Sequence, residues 1–383
     1  AEFADLLEVM DPERTLHLVI SKSGGTQETK NNMIAMENFY ASKKLSFARH
    51  AAAITMKESE LDRHARENNF LAIFEMAESI GGRTSETSIV GHVPAALTGV
   101  DFASFLKGAC RMDDWTRTAD PEKNPAMMLA SMWYIAGKGK GDRNMVIVPY
   151  SDRLILLSRY LRSRYMRQLV MESLGKALDL DGKEVHQGLN VFGNKGGTDA
   201  HAFIQQLNDG RDDFFVTFIE VLEDKMPAPI SGSIAMGVYL HGFMVGLSNA
   251  LRNKKRQVIE MRINKVDTFN VGMLIALYER AVAAYAELIH INAFHQPGVQ
   301  AYKLASKGVI KLLTDVESGL ASIVPFTGTA AELAAKLGLS DSEYELEGIM
   351  AKLSGNNDKR TLAVNVRREW NKDKGWEYTV AAR

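Results

Sequence analysis

Residues Ser21 to Thr29 read Ser-Lys-Ser-Gly-Gly-Thr-Gln-Glu-Thr, between an apolar run, Thr15 to Ser21, and a helical pattern that begins at Gln27. Hydroxyl side chains at the carboxyl end of a strand, in front of a helix amino end, combine short donors, free backbone N–H groups and the positive end of a helix dipole. That combination suits a phosphate dianion, and open α/β sheets hold their ligands at this edge. The spacing is not the Walker pattern, since no Gly-Lys-Ser/Thr closes the loop, so a nucleoside triphosphate is not expected. An ordinary capped strand-to-helix turn prefers the same hydroxyl residues and stays open as the other reading.

Four further segments carry residues able to do chemistry. Gly81-Gly82-Arg83-Thr84-Ser85 pairs a glycine turn with a guanidinium that could steady an anion. Met171-Glu172-Ser173-Leu174-Gly175-Lys176 places a carboxylate just ahead of a glycine helix stop. Gly193 to His201 opens a helix on which His201 could serve as a general acid or base near working pH. His295 to Lys303 turns at Pro297-Gly298 into a helix carrying Lys303. Each also has a purely structural reading: a solvated turn, a surface carboxylate, a helix-start histidine and a solvated lysine.

The elements that must position these residues follow from apolar spacing. A short amphipathic helix over residues 2–10 is broken by Asp11-Pro12, and strands are expected at Thr15 to Ser21, Ala51 to Met56, Asn144 to Pro149 and Phe214 to Glu220. Helical patterns cover a charged stretch from Leu61, Asp101 to Ala136 with a polar loop inside, Ser151 to Lys176 as one long helix, Ile230 to Arg252 and Thr268 to Ala286. Strands recurring between helical blocks predict an α/β fold, a three-layer sandwich around parallel sheets, with a boundary near 94–100. After about Val324 the pattern changes to two helices joined by Gly-Leu-Ser, followed by a charged tail, Arg367 to Tyr378. Helix–turn–helix spacing invites a nucleic-acid reading, but no basic recognition helix accompanies it, so a small helical appendage is expected.

Bulk composition narrows the class. In 383 residues, 46 Lys plus Arg stand against 47 Asp plus Glu, which offers no general attraction to nucleic acid or to an anionic membrane. A single cysteine, Cys110, excludes an intrachain disulfide and a cysteine zinc cage and suits a reducing compartment. No run of about 18 apolar residues is present to span a bilayer, and the amino end lacks a signal-peptide layout. A cytoplasmic protein with no membrane and no nucleic-acid partner is expected.

Read in order, the five segments resemble the signature set of the phosphoglucose isomerase family, which is built from two sugar isomerase (SIS) domains. SKSGGTQET resembles its phosphate loop, GGRTS its Gly-Gly-Arg-x-Ser turn and MESLGK its Met-Glu-Ser-x-Gly-Lys. GNKGGTDAHAF is similar to its stretch ending in Gln-His-Ala-Phe, and HQPGVQAYK to its Asp-Gln-x-Gly-Val-Glu-x-x-Lys. The resemblance covers about residues 11 to 312.

The resemblance implies that Ser21, Lys22, Ser23 and Thr26 hold a substrate phosphate and that Glu28 lines the sugar site. It implies Arg83 as stabiliser of an enediolate, Glu172 as the base moving a proton between C2 and C1, and His201 and Lys303 as helpers in ring opening. It further implies interconversion of D-glucose 6-phosphate and D-fructose 6-phosphate, no metal or organic cofactor, and a homodimer whose histidine serves the neighbouring subunit's site. Other readings are a different SIS-type isomerase, against which the Glu172, His201 and Lys303 combination argues, and a non-catalytic sugar-phosphate-binding protein.

Departures from the pattern are Ser23 for threonine, His295 and Gln300 for aspartate and glutamate, and Asn194-Lys195 for Glu-Pro. The family's amino-terminal region and its Gly-x-Gly-Gly-Ser loop are not found ahead of Ser21. The expected partition is therefore the carboxyl-terminal part of a first SIS domain over 1–98, a second SIS domain over 99–324 and the helical appendage over 325–383, all as a portion of a longer protein.

Overall fold

The computed structural model describes residues 2–154, 168–226, 228–232, 234–357 and 363–383. These fall into two compact units, Ala1–His295 and Gln296–Arg383. The first unit opens with α1 (Glu2–Val9), β1 (His17–Ile20), α2 (Gln27–Ser42), β2 (Ala51–Thr55), α3 (Glu60–Glu67) and β3 (Ala72–Glu75). It continues through α4 (Ile89–Leu97), α5 (Phe102–Trp115), α6 (Pro125–Ala136), β4 (Asn144–Pro149), β5 (Lys176–Leu178), β6 (Glu184–Gln187) and β7 (Val191–Gly193). Then come α7 (Ala200–Asp209), β8 (Phe214–Val221), β9 (Pro229–Ser231), β10 (Ile234–Ala235), α8 (Met236–Asn253), β11 (Gln257–Ile263) and α9 (Thr268–Leu288).

Two parallel sheets organise this unit. One has the order β1-β2-β3 and the other β11-β8-β4-β7, with every neighbouring pair parallel. The apolar runs are continuous because both faces of the larger sheet are covered. Met145, Ile147, Phe215 and Ile219 pack with Trp133, Tyr278 and Tyr285 on one face. Val146, Val148, Val216 and Phe218 pack with Leu207, Met244 and Leu251 on the other. This alternation of side chains across one strand makes the helix–sheet–helix layering. The expected α/β class with parallel sheets is what the molecule has. Helices α5 and α9 approach closely through glycines: a Cβ on Gly108 would stand 1.9 Å from Phe269 O, and one on Gly272 2.0 Å from Phe105 O. No helix of the described residues is long and apolar enough to cross a membrane.

The second unit comprises α10 (Pro297–Leu320), β12 (Phe326–Thr329), α11 (Ala330–Leu337), α12 (Glu343–Ser354), β13 (Val364–Asn371) and β14 (Gly375–Ala382). It has its own core, in which Val316 and Leu320 of α10 meet Leu333, Leu346, Met350, Val366, Tyr378 and Val380. A capping box at Thr329 and Glu332 starts α11, and Gly338, at φ 71°, ends it.

Three expectations need correction. The charged tail is a hairpin, β13 against β14, joined by β12 into an antiparallel sheet ordered β12-β14-β13, so the appendage is not wholly helical. Its apolar residues, Val364, Val366, Tyr378 and Val380, fall at every second position, the strand period, which the intervening charges conceal. The helix expected over Ser151 to Lys176 does not reach Lys176: a π-helical turn, Gln168–Glu172, ends at Gly175 and Lys176 begins β5. Half of that stretch, residues 155–167, lies outside the described residues. The helix expected from Ile230 starts at Met236, because β9 and β10 pair ahead of it.

Candidate functional site

The loop Ser21 to Thr26 leaves β1 at the carboxyl edge of the smaller sheet and enters α2. Its shape is set by neighbours on the same edge. The Lys22 carbonyl accepts from Met56 N at 3.1 Å and from Thr55 Oγ1 at 3.2 Å, and the Ser23 carbonyl accepts from Glu60 N at 3.1 Å. Gly24 has φ 80°, and a Cβ there would stand 2.4 Å from Leu61 N, so the approach to the start of α3 admits only glycine. Within the loop, Ser21 Oγ accepts from Gly24 N at 3.1 Å and donates to Thr26 Oγ1 at 3.4 Å, while Ser23 Oγ accepts from Gly25 N at 3.2 Å. Thr26 occupies the helix-capping position but makes no side-chain capping bond. The first-turn amides of α2 are thus left without a cap, at the positive end of a helix. Glu28 is exposed in that first turn.

Lys22 ties this loop to the next one. Its Nζ donates to Glu78 O at 2.5 Å, in the segment that leaves β3 and runs into the short turn Gly82–Thr84. Gly81 and Gly82 take ordinary backbone angles for any residue or face open space, so steric need does not explain the glycine pair. From that turn Arg83, half-buried, reaches across: Nη1 donates to Ser173 Oγ at 3.1 Å and to Ala293 O at 3.1 Å.

Ser173 follows Glu172 directly, so the guanidinium is anchored beside the carboxylate-bearing turn. The π-helical geometry of Gln168–Glu172, a form concentrated at functional sites, presents Glu172 partly exposed between an exposed Met171 and a buried Ser173. Lys176, which the sequence marks only as the end of a motif, is buried there. Its Nζ donates to Glu172 O at 2.9 Å and Ser173 O at 2.6 Å. Burial lowers its pKa to about 8; the Arg83 charge adds to that lowering and the Glu172 carboxylate opposes it. Ser21, Lys22, Ser23, Thr26, Arg83 and Glu172 therefore belong to a chain of linked loops within the first unit.

His201 is placed elsewhere. It is exposed in the first turn of α7 and lines a cavity of about 1320 Å³ at the carboxyl edge of the larger sheet, with Tyr150, Asp152, Lys195, Met236 and Phe243. Lys195, at a position where the sequence departs from its expected pattern, is buried. Its Nζ donates to Asp152 Oδ1 at 2.5 Å, and its backbone N donates to Asp199 Oδ2 at 3.1 Å. Burial raises the Tyr150 phenol to about 12. Lys303 is exposed on α10, in the second unit, and His295 is exposed at the end of the first.

Comparison with known proteins agrees with these observations. Residues 1–237 match the family model for phosphoglucose isomerase. The chain is 49% identical over 345 residues to a glucose-6-phosphate isomerase of Nostoc punctiforme, covering 89% of this chain and 64% of that protein. It is 46% identical over 367 residues to one of Citrifermentans bemidjiense, covering 95% and 67%. Among solved structures, a glucose-6-phosphate isomerase from Chlamydia trachomatis superposes with a TM-score of 0.72 at 29% identity, over 81% of this chain and 62% of that one. A hypothetical protein from Thermus thermophilus superposes with the same TM-score at 26% identity, over 81% and 74%. The chain spans a little under two thirds of the length of the Nostoc relative. With three of its signature segments linked by hydrogen bonds in the first unit and its sequence matched over this range, the chain belongs to the phosphoglucose isomerase family.

Proposed function

We propose that the protein interconverts D-glucose 6-phosphate and D-fructose 6-phosphate. The observation that carries this reading is the Arg83 Nη1–Ser173 Oγ hydrogen bond, which holds a cation beside the Glu172 turn while Lys22 ties the hydroxyl loop to Arg83's own segment. Moving a carbonyl between C1 and C2 requires a carboxylate at the carbon and a positive group where oxyanion charge develops. In this reading Ser21, Lys22, Ser23 and Thr26 bind the phosphate, and Glu28 lines the sugar site. Glu172 takes the C2 proton, the electron pair moves onto the C1 oxygen, and Arg83 steadies the enediolate. The C2 hydroxyl proton passes to the C1 oxygen, the electron pair it leaves forms the C2 carbonyl, and the carboxyl group returns its proton to C1. The phosphate contributes remote binding energy that orients the chain of carbons over the base. These steps call on no metal or organic cofactor.

His201 and Lys303 open the sugar ring in this reading, with His201 serving a second copy of the chain. Its separate cavity supports that assignment: Met236 and Phe243, each 62% exposed, line the same space, as the meeting face of a homodimer would. We read residues 1–98 as the end of one SIS domain and the following residues up to His295 as the second; the boundary expected at 324 moves back to 295, because α10 packs into the core of the second unit, and we read the protein as cytoplasmic. Three glutamates on α12 against one lysine, Lys352, support a module that does not bind nucleic acid.

The test is coupled turnover of fructose 6-phosphate by the full-length protein and by Glu172→Gln. Loss of about 10³-fold in kcat with KM little changed is expected for removal of a general base. A Glu172→Gln rate equal to wild type refutes the base, and no turnover by the well-folded wild-type protein refutes the activity.

A further inference from the structure

The turn that carries Glu172 is closed from the inside. Gly175 N donates to Met171 O at 2.9 Å, and a Cβ on Gly175 would stand 2.7 Å from that oxygen. The next two carbonyls, of Glu172 and Ser173, are of the kind a helix end leaves without partners. Both accept from one ammonium, Lys176 Nζ, whose residue is 4% exposed. Its side chain therefore runs back from the first residue of β5 over the turn just completed. An isolated buried charge is costly, and here carbonyl dipoles surround it. Arg83, from the turn Gly82–Thr84, and Glu172 are the charged groups that act on it, one disfavouring and one favouring its charged form. The ammonium, Arg83 and Ser173 together brace the turn from two sides, because Arg83 Nη1 holds the Ser173 hydroxyl.

We propose that Lys176 is a positioning residue for Glu172: its ammonium fixes the end of the turn, and with it the placement of the carboxylate at the substrate carbon. The inference rests on the reading of Glu172 as base. A base must come within roughly 2.6–3.2 Å of its partner, and a displacement of about 1 Å by a remote change can cost ~10²-fold. With the ammonium removed, the carbonyls of Glu172 and Ser173 lose this donor and the turn relaxes toward other partners.

Lys176→Met and Lys176→Arg in the full-length protein, beside Glu172→Gln, test this. Lys176→Met is expected to lower kcat by about 10- to 100-fold with KM changed less than about threefold. The primary isotope effect with C2-deuterated glucose 6-phosphate should exceed that of wild type, since proton abstraction alone has slowed. Lys176→Arg should recover part of kcat and bring the isotope effect back toward wild type. A purely structural lysine would reduce the amount of active protein and leave the isotope effect unchanged. That result, or wild-type kcat in Lys176→Met, overturns the proposal. If Lys176→Met does not fold, Lys176→Gln, which also removes the ammonium, decides: an isotope effect equal to wild type overturns the inference, and a raised one sustains it. A Glu172→Gln protein with full rate overturns the base reading itself, whereas an inactive Glu172→Gln beside an unaffected Lys176→Met overturns only the positioning role.

Discussion

The two parallel sheets end in the same topological place and present opposite chemistry there. After β1 the chain enters α2 through Thr26, a neutral residue whose hydroxyl accepts from Ser21 and leaves the first-turn amides uncapped. After β7 it enters α7 through Asp199, whose carboxylate already sits at the helix amino end and accepts from Lys195 N. A helix amino end attracts negative charge; at the first edge the residue at the helix start is neutral, with Glu28 following in the first turn, and at the second it is a carboxylate, while neither side chain caps its helix. The first edge is closed by backbone contacts to α3, whereas the second opens into a wide cavity walled by Met236, Phe243 and Tyr150. A strand-to-helix turn is thus not in itself an anion site; the residue at the helix start sets part of the charge that an incoming anion would meet.

Thr26→Asp would convert the first edge into the second. A carboxylate at the capping position repels the phosphate and occupies its donors, so kcat/KM for fructose 6-phosphate should fall about 10²-fold, chiefly through KM. The fold should hold, because aspartate is a good capping residue. An unchanged KM would break the comparison. At the other edge, Phe243→Asp places a charge on the apolar wall. For the proposed homodimer, light scattering should show a shift to monomer, and the proposed isomerase activity at low protein concentration should fall about tenfold. A Phe243→Asp protein that remains dimeric and active would remove this face as the meeting surface.

A further effect is a pH dependence of stability. The Lys176 pKa is lowered from its ordinary value of 10.5 to about 8. Between those values the unfolded chain binds more protons than the folded one, so this residue's contribution makes stability rise with pH across that window. The unfavourable contribution is present in full below pH 8. The stability difference between Lys176→Met and wild type should therefore change in favour of wild type as pH rises from 8 to 10.5, measured by denaturant titration. A difference constant over that window would show that the ammonium is not perturbed by its burial at the Glu172 turn.

Much of the first edge is legible in residue order, because its chemistry is local. Ser21 to Thr26 can be recognised as a hydroxyl loop between strand and helix from types and spacing alone, and Gly24 from its place in the turn. Glu172 is legible as a carboxylate before a helix stop. The binding of Arg83 to Ser173 and Ala293 is not, since those partners lie far apart in the chain and only the packing of three loops unites them. Lys176 is missed for a similar reason: a lysine after a helix-ending glycine reads as solvated until burial shows where its ammonium goes. The sequence signal that could have found β11 is the alternation of Ile259, Met261 and Ile263 with Glu260 and Arg262. The β13–β14 hairpin carries the same alternation, hidden among charges.

By itself the sequence determined the class of fold, the order of the signature loops and the kinds of groups available, since helix and strand periods and turn chemistry are properties of neighbouring residues. Tertiary structure alone decided which of those groups meet. It joined Lys22 to the Arg83 segment and Arg83 to the Glu172 turn, and it sent His201 to the other sheet's edge. Distances of a few ångströms between residues remote in sequence depend on how whole layers pack, and no local pattern encodes that sum.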